Sequence, residues 1–231
     1  MTVILTREGE DNASLAARLR EWSAEVIELP CVRVEPLEDT RGLAEALGAL
    51  RPDDWLVLTS RHGADAVAAC GPVRAAVAAI GRATAERARA YGLRVEFEPT
   101  VASGERLAHE LPVRGGMALL ARSDRALPDL PRGLRERGFG VREVVAYRTV
   151  ADVRGDVARV RALLASGVPI AIVFHSPSAV VGMLAAIDAP LVARASIHVS
   201  GHATLRAVRD ALGVDADVTL IEEEDAHVAH R

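Results

Sequence analysis

The chain has 231 residues, half of them hydrophobic but only 3% aromatic, and a formal net charge of -4. That length suits two small domains with cores of Ala, Val, Leu and Ile, and the mild acidity argues against a nucleic-acid binder, which carries a strongly basic face. All 28 basic residues are Arg, which excludes Schiff-base chemistry and P-loop nucleotide hydrolysis, because both need a Lys.

Along the chain, short apolar runs alternate with helix-like stretches. Val3–Thr6 reads as a strand, Ser14–Trp22 as a helix with Leu15 and Leu19 on one face, and Val26–Leu29 as a strand stopped by Pro30. Cys31–Leu37, with alternating Val, Arg and Glu, reads as an extended linker. Strands then follow at Trp55–Thr59, Ala76–Ile80, Val95–Glu98, Met117–Ala121 and Val141–Tyr147, with helices at Gly63–Ala69, Ala83–Tyr91, Glu105–Leu111 and Leu130–Arg137. Ala146–Val153 is a second extended segment. Helices at Val157–Ala165, Ala179–Ala186 and Thr204–Leu212 separate the last strands, Ile170–Phe174, Ser196–Ser200 and Val218–Ile221. The βαβ alternation predicts parallel sheets with helices on both faces, and the uninterrupted apolar strands fit sheets buried on both sides.

Cys31 and Cys70 form no CxxC pair, which argues against a disulfide framework or a thiolate zinc site. The start MTVILTREG lacks the basic end and long apolar stretch of a signal peptide, and no run of about 18 uncharged apolar residues could span a membrane. A cytoplasmic protein is expected, with no nucleic acid or membrane as partner. GxGxxG, GxSxG and HExxH motifs are absent, so dehydrogenase, esterase and zinc-protease chemistry has no support.

The chain repeats itself. WLVLTSRHGADAV from Trp55 matches AIVFHSPSAVVGM from Ala171, AIGRATAERARAYG from Ala79 matches VSGHATLRAVRDALG from Val199, and the VILTR–VIELP region matches ALLARSD–VVAY. With two extended crossings, this predicts a discontinuous α/β domain over 1–35 plus 152–231, around an inserted one over 37–149, with a cleft between them as the site.

Ligands of open parallel sheets bind beyond the carboxyl ends of strands. Four small polar loops fall there: Thr59-Ser60-Arg61-His62-Gly63, Gly81-Arg82-Ala83-Thr84, His175-Ser176-Pro177-Ser178 and Gly201-His202-Ala203-Thr204. Each is accounted for by ordinary helix capping; as a duplicated set they also suit anion binding at helix N-termini. Arg7, Arg61, Arg82, Arg122 and Arg125, at or just past strand ends, are candidate carboxylate ligands or plain surface residues.

The ordered set VILTR, VIELP, DWLVLTS, AIGRATAERARAYG, LPRGLRERGFGVREVVAYRT, FHSPSAV and SGHATLRAV resembles the uroporphyrinogen-III synthase family over nearly the whole chain. The resemblance implies two flavodoxin-like domains with parallel sheets joined by a two-stranded linker. It also implies a monomeric lyase of porphyrin biosynthesis, without metal or cofactor, that acts on a small molecule, cyclising hydroxymethylbilane with inversion of ring D. It makes Tyr147, in VVAYRT, the expected proton donor to the leaving hydroxyl. Thr59, Ser60, Arg61, Gly81, Thr84, Arg122, Arg125, Ser176, Ser178, Gly201 and Thr204 become the expected substrate-binding set. The chain departs from the family where His175 replaces a Thr and at Ser200, His202 and Ala203. These departures leave open a non-catalytic tetrapyrrole- or anion-binding regulatory homologue; a small-anion receptor is a further alternative. His175 and His202 sit at strand ends where a titrating imidazole could act. His198 and His202 lack helical metal-ligand geometry. His227 and His230 beside Glu222–Asp225 read as a solvated acidic tail rather than a metal site.

Overall fold

The computed structural model describes residues 1–22, 24–114 and 116–221; the acidic run Glu222–Asp225 with His227 and His230 lies outside the described residues. In chain order the first elements are β1 (Thr2–Leu5), α1 (Gly9–Glu21), β2 (Glu25–Glu28), β3 (Val32–Pro36), α2 (Arg41–Gly48), β4 (Trp55–Leu58), α3 (Arg61–Ala69) and β5 (Ala76–Ala79). Then come α4 (Arg82–Ala90), β6 (Val95–Phe97), α5 (Gly104–Glu110), β7 (Met117–Ser123), α6 (Asp129–Glu136) and β8 (Gly140–Ala151). The last are α7 (Val157–Ser166), β9 (Ile170–Phe174), α8 (Pro177–Ala186), α9 (Ala189–Val192), β10 (Ser196–Ser200), α10 (His202–Leu212) and β11 (Val218–Ile221).

The chain divides into two compact units, Met1–Arg33 with Val150–Arg231, and Val34–Thr149. The first holds a sheet of order β11-β10-β9-β1-β2, parallel throughout. The second holds a sheet of order β3-β8-β7-β4-β5-β6, in which β8, β7, β4, β5 and β6 run parallel. The internal repeat maps strand for strand: β4, β5, β6, β7 and β8 correspond to β9, β10, β11, β1 and β2, in the same spatial order.

Strand alternation explains why both faces are apolar. Ile4, Ile172 and Phe174 pack on one face of the first sheet and Val3, Leu5 and Val173 on the other, all 0% exposed. Leu56 and Leu58 likewise oppose Trp55 and Val57 in the second sheet. Each such side chain, fully buried, stabilises its unit by about 1.5–3 kcal/mol. Gly182 lets α8 lie directly on the segment after β2: a Cβ there would overlap the Cys31 carbonyl.

Four elements differ from expectation, one of them α9, a single turn absent from the sequence reading. The Cys31–Leu37 linker contains β3, an edge strand whose single sheet neighbour is β8, so its polar residues stay partly exposed. The helix α2, absent from the sequence reading, buries Leu43, Ala46 and Leu47. The strand β8 runs four residues beyond Tyr147, to Ala151.

Candidate functional site

In the second unit the apolar run of β4 ends at Leu58, and Thr59 and Ser60 turn the chain into α3. Ser60 is extended, and its Oγ accepts the Gly63 N–H at 3.0 Å, capping the helix. The same Oγ lies 2.8 Å from the Tyr147 hydroxyl, although the residues are 87 positions apart. A β-bulge brings Tyr147 there. Arg122 pairs with Val145 but Ser123 pairs with Tyr147, leaving Ala146 as the extra residue. Ala146 and Tyr147, consecutive in sequence, therefore both enter the same core cluster. Bulges re-aim side chains in this way.

The loop after β7 fastens the backbone around Tyr147. The Asp124 N–H donates to the Tyr147 carbonyl at 3.2 Å, the Thr149 N–H donates to Asp124 Oδ1 at 2.9 Å, and the Ser123 and Thr149 hydroxyls are 2.8 Å apart. Tyr147 is 8% exposed. Burial raises its phenol above the ordinary tyrosine value; the Ser60 hydrogen bond and the Arg122 charge oppose the rise, and Asp124 adds to it. The phenol is thus a neutral, held hydrogen-bond donor or acceptor at neutral pH. The His62 ring lies 5.8 Å from the Tyr147 ring, tilted by 58°.

Arg122 is 7% exposed and committed internally: Nη1 donates to Glu143 at 3.2 Å and Nη2 to the Leu127 carbonyl. It anchors the β7 loop, beside a cavity of about 170 Å³ that Ser123, Asp124 and Glu143 also line. Arg125 is exposed, with its backbone N–H on Ser123 Oγ at 3.2 Å. Arg61 is partly buried, and Arg82 is exposed and paired with Glu86 at 2.8 Å.

The first unit repeats the plan. Ser176 caps α8 by accepting the Ala179 N–H at 3.2 Å, with Pro177 in the first turn and Ser178 after it, partly buried. The α4 and α10 helices begin instead at Gly81 and Gly201, with no side-chain cap. Gly81 is needed because a Cβ would lie 2.8 Å from Ala102 Cβ, whereas Gly201 adopts φ +83. Helix N-termini of this kind suit anions, because their first N–H groups have no acceptor within the helix itself. Thr84 and Thr204 sit one turn in, 5% and 2% exposed, under these glycine turns. At the ends of β9 and β10, His175 Nδ1 lies 3.1 Å from Ser200 Oγ.

The structure therefore brings together Ser60 and Tyr147 in one unit, and sets Ser176, Ser178, Gly201 and Thr204 beyond the carboxyl ends of the adjacent strands β9 and β10 in the other. Ser123, Asp124, Glu143 and Thr149 were missed by sequence reasoning, and His62 entered it only as part of the Thr59-Ser60-Arg61-His62-Gly63 loop. Ser123 and Asp124 lie at the end of β7, whereas Glu143 lies inside β8 and carried no local signal. Among the described residues no His, Cys, Asp or Glu cluster is suited to a metal, and no helix is long and apolar enough to cross a membrane.

Residues 13–226 match the family model for uroporphyrinogen-III synthase HemD. The chain belongs to the uroporphyrinogen-III synthase family. It is 30% identical over 159 residues to the uroporphyrinogen-III synthase of Synechococcus elongatus, covering 64% of this chain and 60% of that protein. It is 27% identical over 202 residues to the porphyrin biosynthesis protein HemD of Ruminiclostridium josui, covering 82% and 40%. The chain thus spans 60% or less of these relatives' length. A solved uroporphyrinogen III synthase from Thermus thermophilus matches over 98% of this chain and 94% of that one, with a TM-score of 0.63 and 20% identity. That likeness establishes the fold of the family.

Proposed function

We propose that this chain is a uroporphyrinogen-III synthase, a cyclising lyase that converts hydroxymethylbilane to uroporphyrinogen III and water with ring D inverted. The observation that carries the reading is the family match, which runs through both units from residue 13 to 226. The held phenol of Tyr147 supports it, because the reaction needs a proton delivered to a leaving hydroxyl.

In this reading Tyr147 donates to the departing hydroxyl, which leaves as water, and Ser60 fixes the direction of the phenol. The ring-forming bond then joins the last pyrrole to the vacated methylene carbon. Loss of a pyrrole-carbon proton after rearrangement returns a proton to the site. The substrate carries carboxylates on every pyrrole. The helix N-termini at Gly81 and Gly201 suit them, as do the residues around Thr59, Arg61, Thr84, Arg125, Ser176, Ser178 and Thr204. Arg122 contributes indirectly, by holding the β7 loop against β8. Much of the acceleration comes from holding a flexible chain curled rather than from acid strength. We further infer a cytoplasmic monomer that needs no cofactor.

The test is a coupled assay in which hydroxymethylbilane is generated in place and the products are resolved as type I and type III isomers after oxidation. Uncatalysed closure gives type I. A dominant type III product establishes the synthase. Type I alone, from folded protein, replaces it with a ligand-binding homologue.

A further inference from the structure

His175 directly follows β9 and Ser200 ends the adjacent parallel strand β10, in the register that pairs Phe174 with Val199. His175 Nδ1 is 3.1 Å from Ser200 Oγ, and the same Ser200 hydroxyl lies 3.5 Å from the His175 carbonyl oxygen, to which it donates. A serine hydroxyl has one hydrogen. If that hydrogen goes to the carbonyl, Oγ can only accept from the ring, so Nδ1 carries the proton and Nε2 keeps its lone pair. Burial, and secondarily the positive charge of Arg7 at the end of β1, hold the imidazole well below its ordinary pKa, so the ring stays neutral.

Gly201 opens the N-terminus of α10, and Arg7 is cationic. Those donors bind carboxylates but offer nothing to the four pyrrole N–H groups that a tetrapyrrole also presents, and the Ser176 oxygen already accepts the Ala179 N–H. We propose that Ser200 orients His175 so that its Nε2 accepts a pyrrole N–H of the bound tetrapyrrole, making His175 a substrate-binding residue of this site. The inference rests on the synthase reading, since the N–H donor it needs is that of the proposed substrate and product.

Two measurements test it. Long-range proton–nitrogen spectra of nitrogen-labelled protein read the tautomer directly, with the His175 signals assigned from a His175→Gln difference spectrum. The expected form is neutral with the proton on Nδ1. Ser200→Val should release the ring to the Nε2–H form. A wild-type ring protonated on Nε2, or an unchanged tautomer in Ser200→Val, overturns the proposal. The second measurement is binding of uroporphyrinogen III under reducing conditions. His175→Ala should weaken binding about fivefold to tenfold, the worth of one net hydrogen bond. His175→Gln, whose amide oxygen can take the place of Nε2, should recover most of it. Equal affinity of wild type and His175→Ala overturns this inference alone. No binding by folded wild-type protein overturns the synthase reading and this inference with it.

Discussion

Replacing Tyr147 with Phe removes one oxygen from a side chain that is 8% exposed. The Ser60 hydroxyl loses its 2.8 Å partner but still accepts the Gly63 N–H at 3.0 Å, so the cap of α3 survives. The net cost of one neutral hydrogen bond is about 1 kcal/mol, which lowers the melting temperature by a few degrees at most. If the phenol delivers the proton, turnover falls by about a hundredfold to ten-thousandfold, or about 3 to 5 kcal/mol of barrier. The catalytic loss thus exceeds the stability loss severalfold. The assay is kcat for type III product in the coupled system, beside denaturant unfolding of the same variant. Ser60→Ala completes a double-mutant cycle. It loses both the cap and the phenol partner, so it costs more stability than Tyr147→Phe and less turnover. A Tyr147→Phe enzyme with unchanged kcat refutes the role. So does a loss of activity no larger than the fraction of protein unfolded.

Tyr147 also predicts part of an alkaline limit: its folded pKa is raised above 10, so its contribution to stability is flat below pH 10 and falls as pH rises beyond it, and Tyr147→Phe makes the alkaline fall shallower. His175 gives the opposite limb. Its folded pKa is depressed below 6.5, so denaturant titration should show stability falling as pH drops below about 6.5, with the slope lost in His175→Gln. Burial pushes the Cys31 thiol up to about 12, so disulfide-exchange labelling of native protein should modify Cys70, which is partly exposed, and reach Cys31 only on unfolding. Gly182→Ala drives a Cβ into the Cys31 carbonyl and should destabilise the chain by about 3 kcal/mol or prevent folding, read by denaturant midpoint.

Much of the fold was legible because both faces of each sheet are covered. An uninterrupted run such as Ile170–Phe174 can then only be a buried strand, and the structure gives it those ends. Edges were harder. β3 alternates Val with Arg and Glu because only one neighbour and one face claim it, and that pattern also describes a linker. α2 has no side-chain cap hydrogen bond to announce it, and α9 is a single turn fixed by its surroundings. The helix caps at Ser60 and Ser176 could be read locally. The partnership of Ser60 with Tyr147 could not, because it depends on strand order and on a bulge at Ala146 that no local composition marks. The same holds for Arg122. A strand-end arginine looks available to a ligand, and only the fold reveals Glu143 and Leu127 waiting for it.

The interrupted unit has a consequence for synthesis on the ribosome. β1 emerges first, yet its sheet neighbour β9 is among the last strands to appear; the Thr6 hydroxyl must reach the Val173 carbonyl across 167 residues. At translation rates of about 5–20 residues per second, β1 waits roughly 8 to 33 s for that partner, and the inserted unit has all its strands before β9 appears. The nascent chain therefore folds from its middle outwards. For that interval the amino-terminal strands expose an apolar, unpaired edge, and this is where a trigger-type chaperone would be most needed.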